Sequence, residues 1–266
     1  MSSKVSLILT TYNNLEFLKK TLDSIETQDY PNIEVVIKDG GSTDGTIECI
    51  EAFANKHNDA VSSESGGSEP RSSAPGITVV YASSPDTGIY DAMNQGIQMS
   101  SGDIIACFND KFLCADAISK LVKAMNETNP ATGQAYDGVH ADLVYADGDK
   151  VIRTWKMGQG NIRTGWMPGH PTLYLRRSIY DEYGLYDTSF KIAADYEFMI
   201  RFLSKGIALN YVPETLISMY YSGTSTSSLG SYIKSYFEGV RAMKINKIKF
   251  AYTINVLRTF RVLSQF

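Results

Sequence analysis

Four short, largely apolar runs, at residues 5–9, 33–38, 77–81 and 104–108, recur through the first half of the chain with stretches of helical period between them. This alternation limits the possible folds more than any other feature. Runs of this length with little polar alternation read as strands buried on both faces. After the first run, Asn13 or Asn14 caps a helix whose Leu15, Leu18, Leu22 and Ile25 share one face. After the second, a Gly-rich turn opens a helix carrying Ile47, Ile50 and Phe53, and further helices are expected at 90–99 and 115–126. Strict strand–helix alternation predicts an α/β fold with a mostly parallel sheet covered by helices on both faces. Ligands on such sheets bind beyond the carboxyl ends of the strands.

The second half is less regular. Residues 142–155 read as a hairpin turning at Asp147-Gly148-Asp149, and 172–176 as a strand. A helix is expected at 195–204 with Tyr196, Met199, Phe202 and Leu203 facing inward, and another at 232–249. Residues 62–75 are dense in Ser, Gly and Pro, can bury almost nothing, and are expected to form a mobile surface insertion. Hydrophobic residues at 43% and charged residues at 20% suit a soluble globular protein. The net charge of -4 gives the chain no electrostatic attraction for nucleic acid. Three scattered cysteines without a C-x-x-C pair fit a reducing cytoplasm, and the opening apolar run is too short for a signal peptide or membrane span.

The four loops that follow the strands are unusually polar. They read Thr10-Thr11-Tyr12-Asn13, then Asp39-Gly40-Gly41-Ser42-Thr43-Asp44-Gly45-Thr46, then Asp86-Thr87-Gly88-Ile89-Tyr90-Asp91-Ala92-Met93-Asn94-Gln95-Gly96, then Asn109-Asp110. Carboxylates gathered at one sheet edge repel one another unless a cation sits among them, which points to an oxygen-liganded Mg²⁺ or Mn²⁺. A nucleoside diphosphate would supply the remaining oxygens. Singly, each loop has a plainer reading: Asp39-Gly40-Gly41 suits a tight turn, and Asp44 or Asp110 a helix cap. The chain lacks G-x-x-x-x-G-K-[ST], G-x-G-x-x-G and G-x-S-x-G, which sets aside the phosphate-loop, dinucleotide and hydrolase-elbow classes.

Taken in order, five stretches resemble the family 2 glycosyltransferases of the GT-A fold, above all bacterial enzymes that build capsules, O-antigens and exopolysaccharides. They are Leu9-Thr10-Thr11-Tyr12-Asn13, the Lys38–Thr46 loop, Pro85 to Asn94, Gly169-His170-Pro171-Thr172 and Ala193-Ala194-Asp195-Tyr196. The resemblance implies an enzyme that moves a sugar from a nucleotide-diphosphate donor, UDP-linked by expectation, to a saccharide or lipid-linked acceptor with inversion. Thr10, Thr11, Tyr12 and Asn13 would line the nucleoside pocket, and Asp39, within a loop that includes Gly41, would bond the base. Asp86, Gly88, Asn94 and Asn109 would border nucleotide and donor sugar. Asp110 stands where the family places its metal-binding acids, and Asp195 where it places the catalytic base. A carboxylate there makes chemical sense, since a sugar hydroxyl is a poor nucleophile until its proton is taken. Asp195 also suits an N-cap for its helix, and the two roles are compatible. On this reading residues 1–130 form the nucleotide-sugar half, with the insertion at about 58–76. Residues 131–229 form the acceptor and catalytic half, and 230–266 a C-terminal helical extension.

The row Phe108-Asn109-Asp110-Lys111-Phe112 departs from the family, which commonly shows two adjacent acids there. A lysine subtracts a ligand and adds a competing charge, leaving three readings: Asp110 suffices, metal affinity is weakened, or the chain is impaired. His170 is a candidate metal or diphosphate ligand, whereas His57 and His140 read as structural. Trp166 and Met167 suit either an acceptor-facing wall or ordinary core, and Arg201 either a phosphate contact or a surface ion pair. The tail, 244–266, mixes Lys and Arg with aromatics. It suits peripheral contact with an anionic membrane, packing on its own domain, or a homodimer interface. Rival functions are a nucleotidylyltransferase, which would want a basic Gly-rich first loop, and a non-catalytic sugar-nucleotide-binding protein.

Overall fold

The computed structural model describes residues 2–63, 76–148, 150–220 and 229–263. Their strands are β1 (Val5–Thr11), β2 (Asn32–Asp39), β3 (Gly76–Ser83), β4 (Ile104–Cys107), β5 (Lys111–Phe112), β6 (Gly138–Asp147), β7 (Lys150–Trp155), β8 (Tyr174–Arg176) and β9 (Leu209–Tyr220). The helices are α1 (Leu15–Glu26), α2 (Thr46–Ser63), α3 (Ile89–Met99), α4 (Ala117–Met125), α5 (Arg177–Tyr183), α6 (Ala194–Leu203), α7 (Leu229–Ile245) and α8 (Ala251–Leu263). The strands form one sheet in the order β3-β2-β1-β4-β8-β6-β9-β5, with β7 paired to β6. β3, β2, β1 and β4 run parallel, so the expected alternation holds through the first half. Chain order reverses direction between β1 and β4, and the crevice above that switch point is where a ligand is expected.

Alternate residues of the parallel strands feed two cores. Leu7, Val35 and Ala106 pack with Leu18, Leu22 and Ile25 of α1, Ile50 and Phe53 of α2, and Leu121 of α4. Ile8, Val36, Ile105 and Cys107 pack with Met93 and Ile97 of α3 and with residues of α5 to α8. Both faces are thus covered. Burying each large aliphatic side chain stabilises the fold by roughly 1.5–3 kcal/mol.

The second half departs from expectation in identifiable places. The strand at 172–176 begins only at Tyr174, because His170–Thr172 form a 3₁₀ turn in which Pro171 fixes one φ. The hairpin at Asp147 forms with a bulge between Tyr145 and Ala146, while Asp149 lies outside the described residues. α6 buries Tyr196, Glu197, Phe198, Met199, Ile200 and Phe202, a wider face than Tyr196, Met199, Phe202 and Leu203, because both α5 and α7 pack against it. The expected single helix at 232–249 ends at Ile245. Lys247 and Phe250 take φ of 58° and 62°, and α8 folds back on α7. Residues 244–263 therefore do not form one continuous helix, and 264–266 lie outside the described residues. α2 continues through Ser63, so it takes in the first residues expected in the insertion, and 64–75 fall outside the described residues.

Candidate active site

The loops after β1, β2 and β3 are tied into one surface. The Thr10 amide donates to Asn109 Oδ1 at 2.8 Å, and Asn109 Nδ2 returns a 2.8 Å bond to Thr10 Oγ1, which closes the switch point. Asn13 N donates to Ser42 Oγ at 2.7 Å, and its own side chain accepts from Thr43 N at 2.8 Å. Asp44 accepts from Leu15 N at the start of α1 and from Thr46 N at the start of α2, so it acts at two helix starts. Gly41, at φ 89°, supplies the left-handed turn that brings this loop round.

Within this surface Tyr12, Gly40 and Asp86 meet. A Cβ on Gly40 would stand 3.0 Å from Asp86 Oδ2 and 3.1 Å from the Tyr12 ring, so a side chain there would have to push one of them aside by a few tenths of an ångström. Tyr12 is 64% exposed beside that gap and offers a free ring face for a base. Thr11 Oγ1 is buried with no hydrogen-bond partner, an atom that a ligand could satisfy. Asp86 Oδ1 accepts from Gly88 N at 2.9 Å, ahead of α3. Beneath them the fully buried Lys38 donates to the Asp39 and Ser84 carbonyls and lies 3.8 Å from Asp86 Oδ2.

Two expected ligand-binding residues have partners within the protein. The expectation was that Asp39 would meet a base, but its side chain is fully buried and accepts from Gly41 N, Ser42 N, Ser42 Oγ and Ser83 Oγ. Burial opposes its charge, and the Ser42 and Ser83 hydroxyls with the Ser42 and Gly41 amides outweigh that, holding the carboxyl below its usual range. It organises the loop. Asn94 was expected to border the sugar. Instead its amide bonds both main-chain groups of Tyr186, at 2.9 Å each, and clamps a distant segment.

A second cluster gathers around Asp195, in the first turn of α6. Tyr90 Oη, in the first turn of α3, donates within 2.7 Å of the Ile192 carbonyl and 3.1 Å of Asp195 Oδ1. His170 Nε2 lies 2.9 Å from Tyr186 Oη, whose hydroxyl also stands 3.5 Å from Cys107 Sγ at the end of β4. Burial keeps His170 toward its neutral form, against the attraction of the Asp195 charge. Nothing bonds the Asp195 side chain to the helix start, so the capping reading finds no support. The first turn of α3 links the two clusters: Asp86 opens it and Tyr90 closes on Asp195.

Asp110 lies just beyond β4, buried, with the Tyr220 amide as its hydrogen-bond donor. Burial pushes its carboxyl up to about 7. A buried carboxylate with so little to offset its charge suits a cation, but the fit is limited to a single protein ligand. Among the described residues no group of three or more His, Cys, Asp or Glu side chains is placed to hold a metal. His170, the other expected metal ligand, is committed to Tyr186. Lys111 does not crowd Asp110: it is exposed and lines a cavity of about 800 Å³ with Glu16, Lys20, Asp23 and Asp147.

Other candidates resolve as structure. Arg201 pairs with Glu197 and donates to the Tyr183 and Leu185 carbonyls. Trp166 is buried, its indole N–H given to Met157 O. Sequence reasoning assigned no role to Tyr90, Tyr186 or Cys107. Tyr90 stood inside a quoted stretch, whereas Tyr186 and Cys107 carried no signal that could have found them.

Residues 6–184 match the model of glycosyl transferase family 2. An uncharacterized glycosyltransferase of Mycobacterium tuberculosis is 31% identical over 204 residues, 74% of this chain and 68% of that protein. The dolichyl N-acetyl-alpha-D-glucosaminyl phosphate 3-beta-D-2,3-diacetamido-2,3-dideoxy-beta-D-glucuronosyltransferase of Methanococcus voltae is 24% identical, covering 86% of this chain and 70% of its own. In shape the chain is similar to S. aureus TarS 1-349 in complex with UDP-GlcNAc, at TM-score 0.67 and 15% identity over 98% of this chain and 73% of that one. It is also similar to the mannosyltransferase PcManGT of Pyrobaculum calidifontis in complex with GDP-Man and Mn²⁺, at TM-score 0.62 and 16% identity over 100% and 76%. These neighbours carry the GT-A fold. Sequence match, fold and clustered loops agree: the chain is a glycosyltransferase and belongs to family 2.

Proposed function

We propose that the protein moves a sugar from a UDP-linked donor to a lipid-linked saccharide in surface polysaccharide synthesis, inverting the anomeric carbon. The observation that carries this reading is the pairing of two clusters through α3. Tyr12, Gly40, Asp86 and the unsatisfied Thr11 hydroxyl suit a nucleotide, while Asp195, held by Tyr90, lies on the transfer side. Asp195 takes the proton of the acceptor hydroxyl as the new bond forms, and attack from the face opposite the departing diphosphate inverts the sugar. Base help of this kind contributes about 10²–10⁴-fold. The family match ends at residue 184, so the role of Asp195 rests on this geometry and on the Ala193-Ala194-Asp195-Tyr196 resemblance.

Asp110 would hold a divalent ion, Mg²⁺ or Mn²⁺, which when bound would offset the charge on the leaving diphosphate. A neighbour holding GDP-Man and Mn²⁺ supports this, and neighbours with UDP-GlcNAc or UDP support a uridine donor. A relative named for a dolichyl-linked acceptor supports a lipid-linked one. Peripheral membrane contact fits the chemistry of α7 and α8, whose residues 229–263 carry seven Lys or Arg against Glu238 alone. Phe237 and Phe260 on them, and Phe250 in the turn between them, stand 61%, 63% and 77% exposed. Such a face favours an anionic lipid surface over a second copy bearing the same charge. No described helix is long and apolar enough to cross a membrane.

Asp195→Asn tests the assignment. UDP binding by calorimetry should stay within about twofold while transfer falls by about 10²-fold or more. A variant that transfers sugar at the normal rate would remove the base from the proposal. Sedimentation with vesicles rich in anionic lipid should recover the protein at low salt, and Lys244→Gln with Lys247→Gln and Lys249→Gln should reduce recovery. Equal recovery on neutral vesicles would argue against the basic face.

A further inference from the structure

We propose that Glu238, on the C-terminal helix α7, is a positioning residue for the base, acting through one peptide group and Tyr90. The inference rests on the reading of Asp195 as base. The Glu238 carboxylate receives three consecutive main-chain amides from the segment entering α6: Lys191 N at 3.1 Å, Ile192 N at 2.9 Å and Ala193 N at 3.0 Å. Ala193 is the N-cap position of α6 and its own side chain makes no cap bond. Glu238 thus supplies from 45 residues away the anionic partner that a helix start usually finds locally.

The Ile192–Ala193 peptide is gripped at both ends. Its N–H points to Glu238, and its carbonyl oxygen accepts from Tyr90 Oη at 2.7 Å. Tyr90 has one hydrogen and a second acceptor, Asp195 Oδ1 at 3.1 Å. The Ile192 carbonyl and the Asp195 carboxylate therefore share the single Tyr90 hydrogen, so the hold on the peptide sets how that hydroxyl stands against Asp195. A charge on the N–H side strengthens the carbonyl as an acceptor, since hydrogen bonds in a chain polarise one another. Arg241, one turn further along α7, fixes the same loop by donating to Ser189 O and Oγ and stacking over Phe190. α7 lies beyond the residues that match the family model.

The alternative is that Glu238 merely holds the C-terminal hairpin in place, and steady-state kinetics with melting curves separate the two. Glu238→Ala should lower kcat about tenfold or more, as a misplaced catalytic group does. Donor KM and UDP affinity should stay within about twofold. Glu238→Gln keeps an oxygen where Oε2 accepts the three amides, and it should recover most of kcat. Asn255→Ala, a buried α8 residue packed against Gly239, serves as the control: it should lower the melting temperature and leave kcat alone. Glu238→Ala and Tyr90→Phe combined should lose less than the product of their separate losses, because both act through one peptide. If Glu238→Ala lowers kcat no more than Asn255→Ala does, or if the two losses multiply independently, the proposal falls. Should Glu238→Ala fail to fold, Tyr90→Phe carries the test: the proposal requires kcat to fall there while UDP affinity holds, and an unchanged kcat overturns it. Asp195→Asn runs alongside: full activity there sinks the base reading itself, while loss there with an inert Glu238 sinks only this proposal.

Discussion

On the nucleotide side, ties run between loops that follow neighbouring parallel strands: Thr10 to Asn109, Asn13 to Ser42 and Thr43, Asp39 to Ser83. On the transfer side the ties join segments from unrelated parts of the chain. Tyr90 reaches Asp195 across 105 residues, Asn94 holds Tyr186 across 92, and Glu238 holds Ala193 across 45. The first arrangement follows once four strand–helix units pair in register. The second exists only after α5, α6 and α7 have packed on the other face of the sheet. A glycosyltransferase built this way can keep one nucleotide cradle and alter its transfer chemistry through distant segments.

If the contrast is sound, disturbing one side should leave the other intact. The largest effect is expected at Asp110. Binding of a divalent ion requires its ionised form, so metal-dependent UDP affinity should climb about tenfold per pH unit below about 7 and level off above it. Asp110→Asn should abolish both the metal dependence and the pH dependence in calorimetry. The same carboxyl, raised above its unfolded value, favours the folded state at pH below about 4 and loses that contribution as pH rises through about 7. Thermal melts should therefore show a divalent ion stabilising most at neutral pH and above.

Next in size is Asn94→Ala, which leaves the Tyr186 N–H and carbonyl without partners and should cost about 2 kcal/mol of stability. Transfer should slow while UDP affinity holds, and parallel losses in both would break the division between the two sides. Gly40→Ala is the converse. A methyl pressed on Tyr12 and Asp86 should weaken UDP binding roughly tenfold, about 1.4 kcal/mol, with little change in melting temperature.

The smallest effect is at His140, which is fully buried with both ring nitrogens unpartnered. Burial alone depresses it to about 4, so its contribution is present above pH 6.5 and lost as pH falls toward 4. His140→Leu should narrow the stability gap between pH 7.5 and pH 5 in thermal melts, without touching either side of the site.

The same contrast explains what could be read from the sequence. The parallel half was legible because each strand is a short apolar run and each helix keeps a 3.6-residue period. The polar loops then fell at the strand ends by topology alone. The internal partners of Asp39 and Asn94 could not be read, since Asp39 turns inward on Ser42 and Ser83, and Asn94 reads a backbone 92 residues away. Tyr186 and Glu238 were invisible because their meaning depends on tertiary packing that no local spacing encodes. The break between α7 and α8 escaped for a related reason: Lys247 and Phe250 adopt positive φ without the glycine that usually announces it.

The most direct test is a structure with a UDP-sugar and Mn²⁺ bound. The account predicts the uracil ring against Tyr12, the metal at Asp110, and the anomeric carbon between diphosphate and Asp195, with space for an acceptor hydroxyl within about 3–3.5 Å of that carbon. A nucleotide seated away from Tyr12 and Asp86, or an Asp195 carboxylate turned from the sugar, would contradict it.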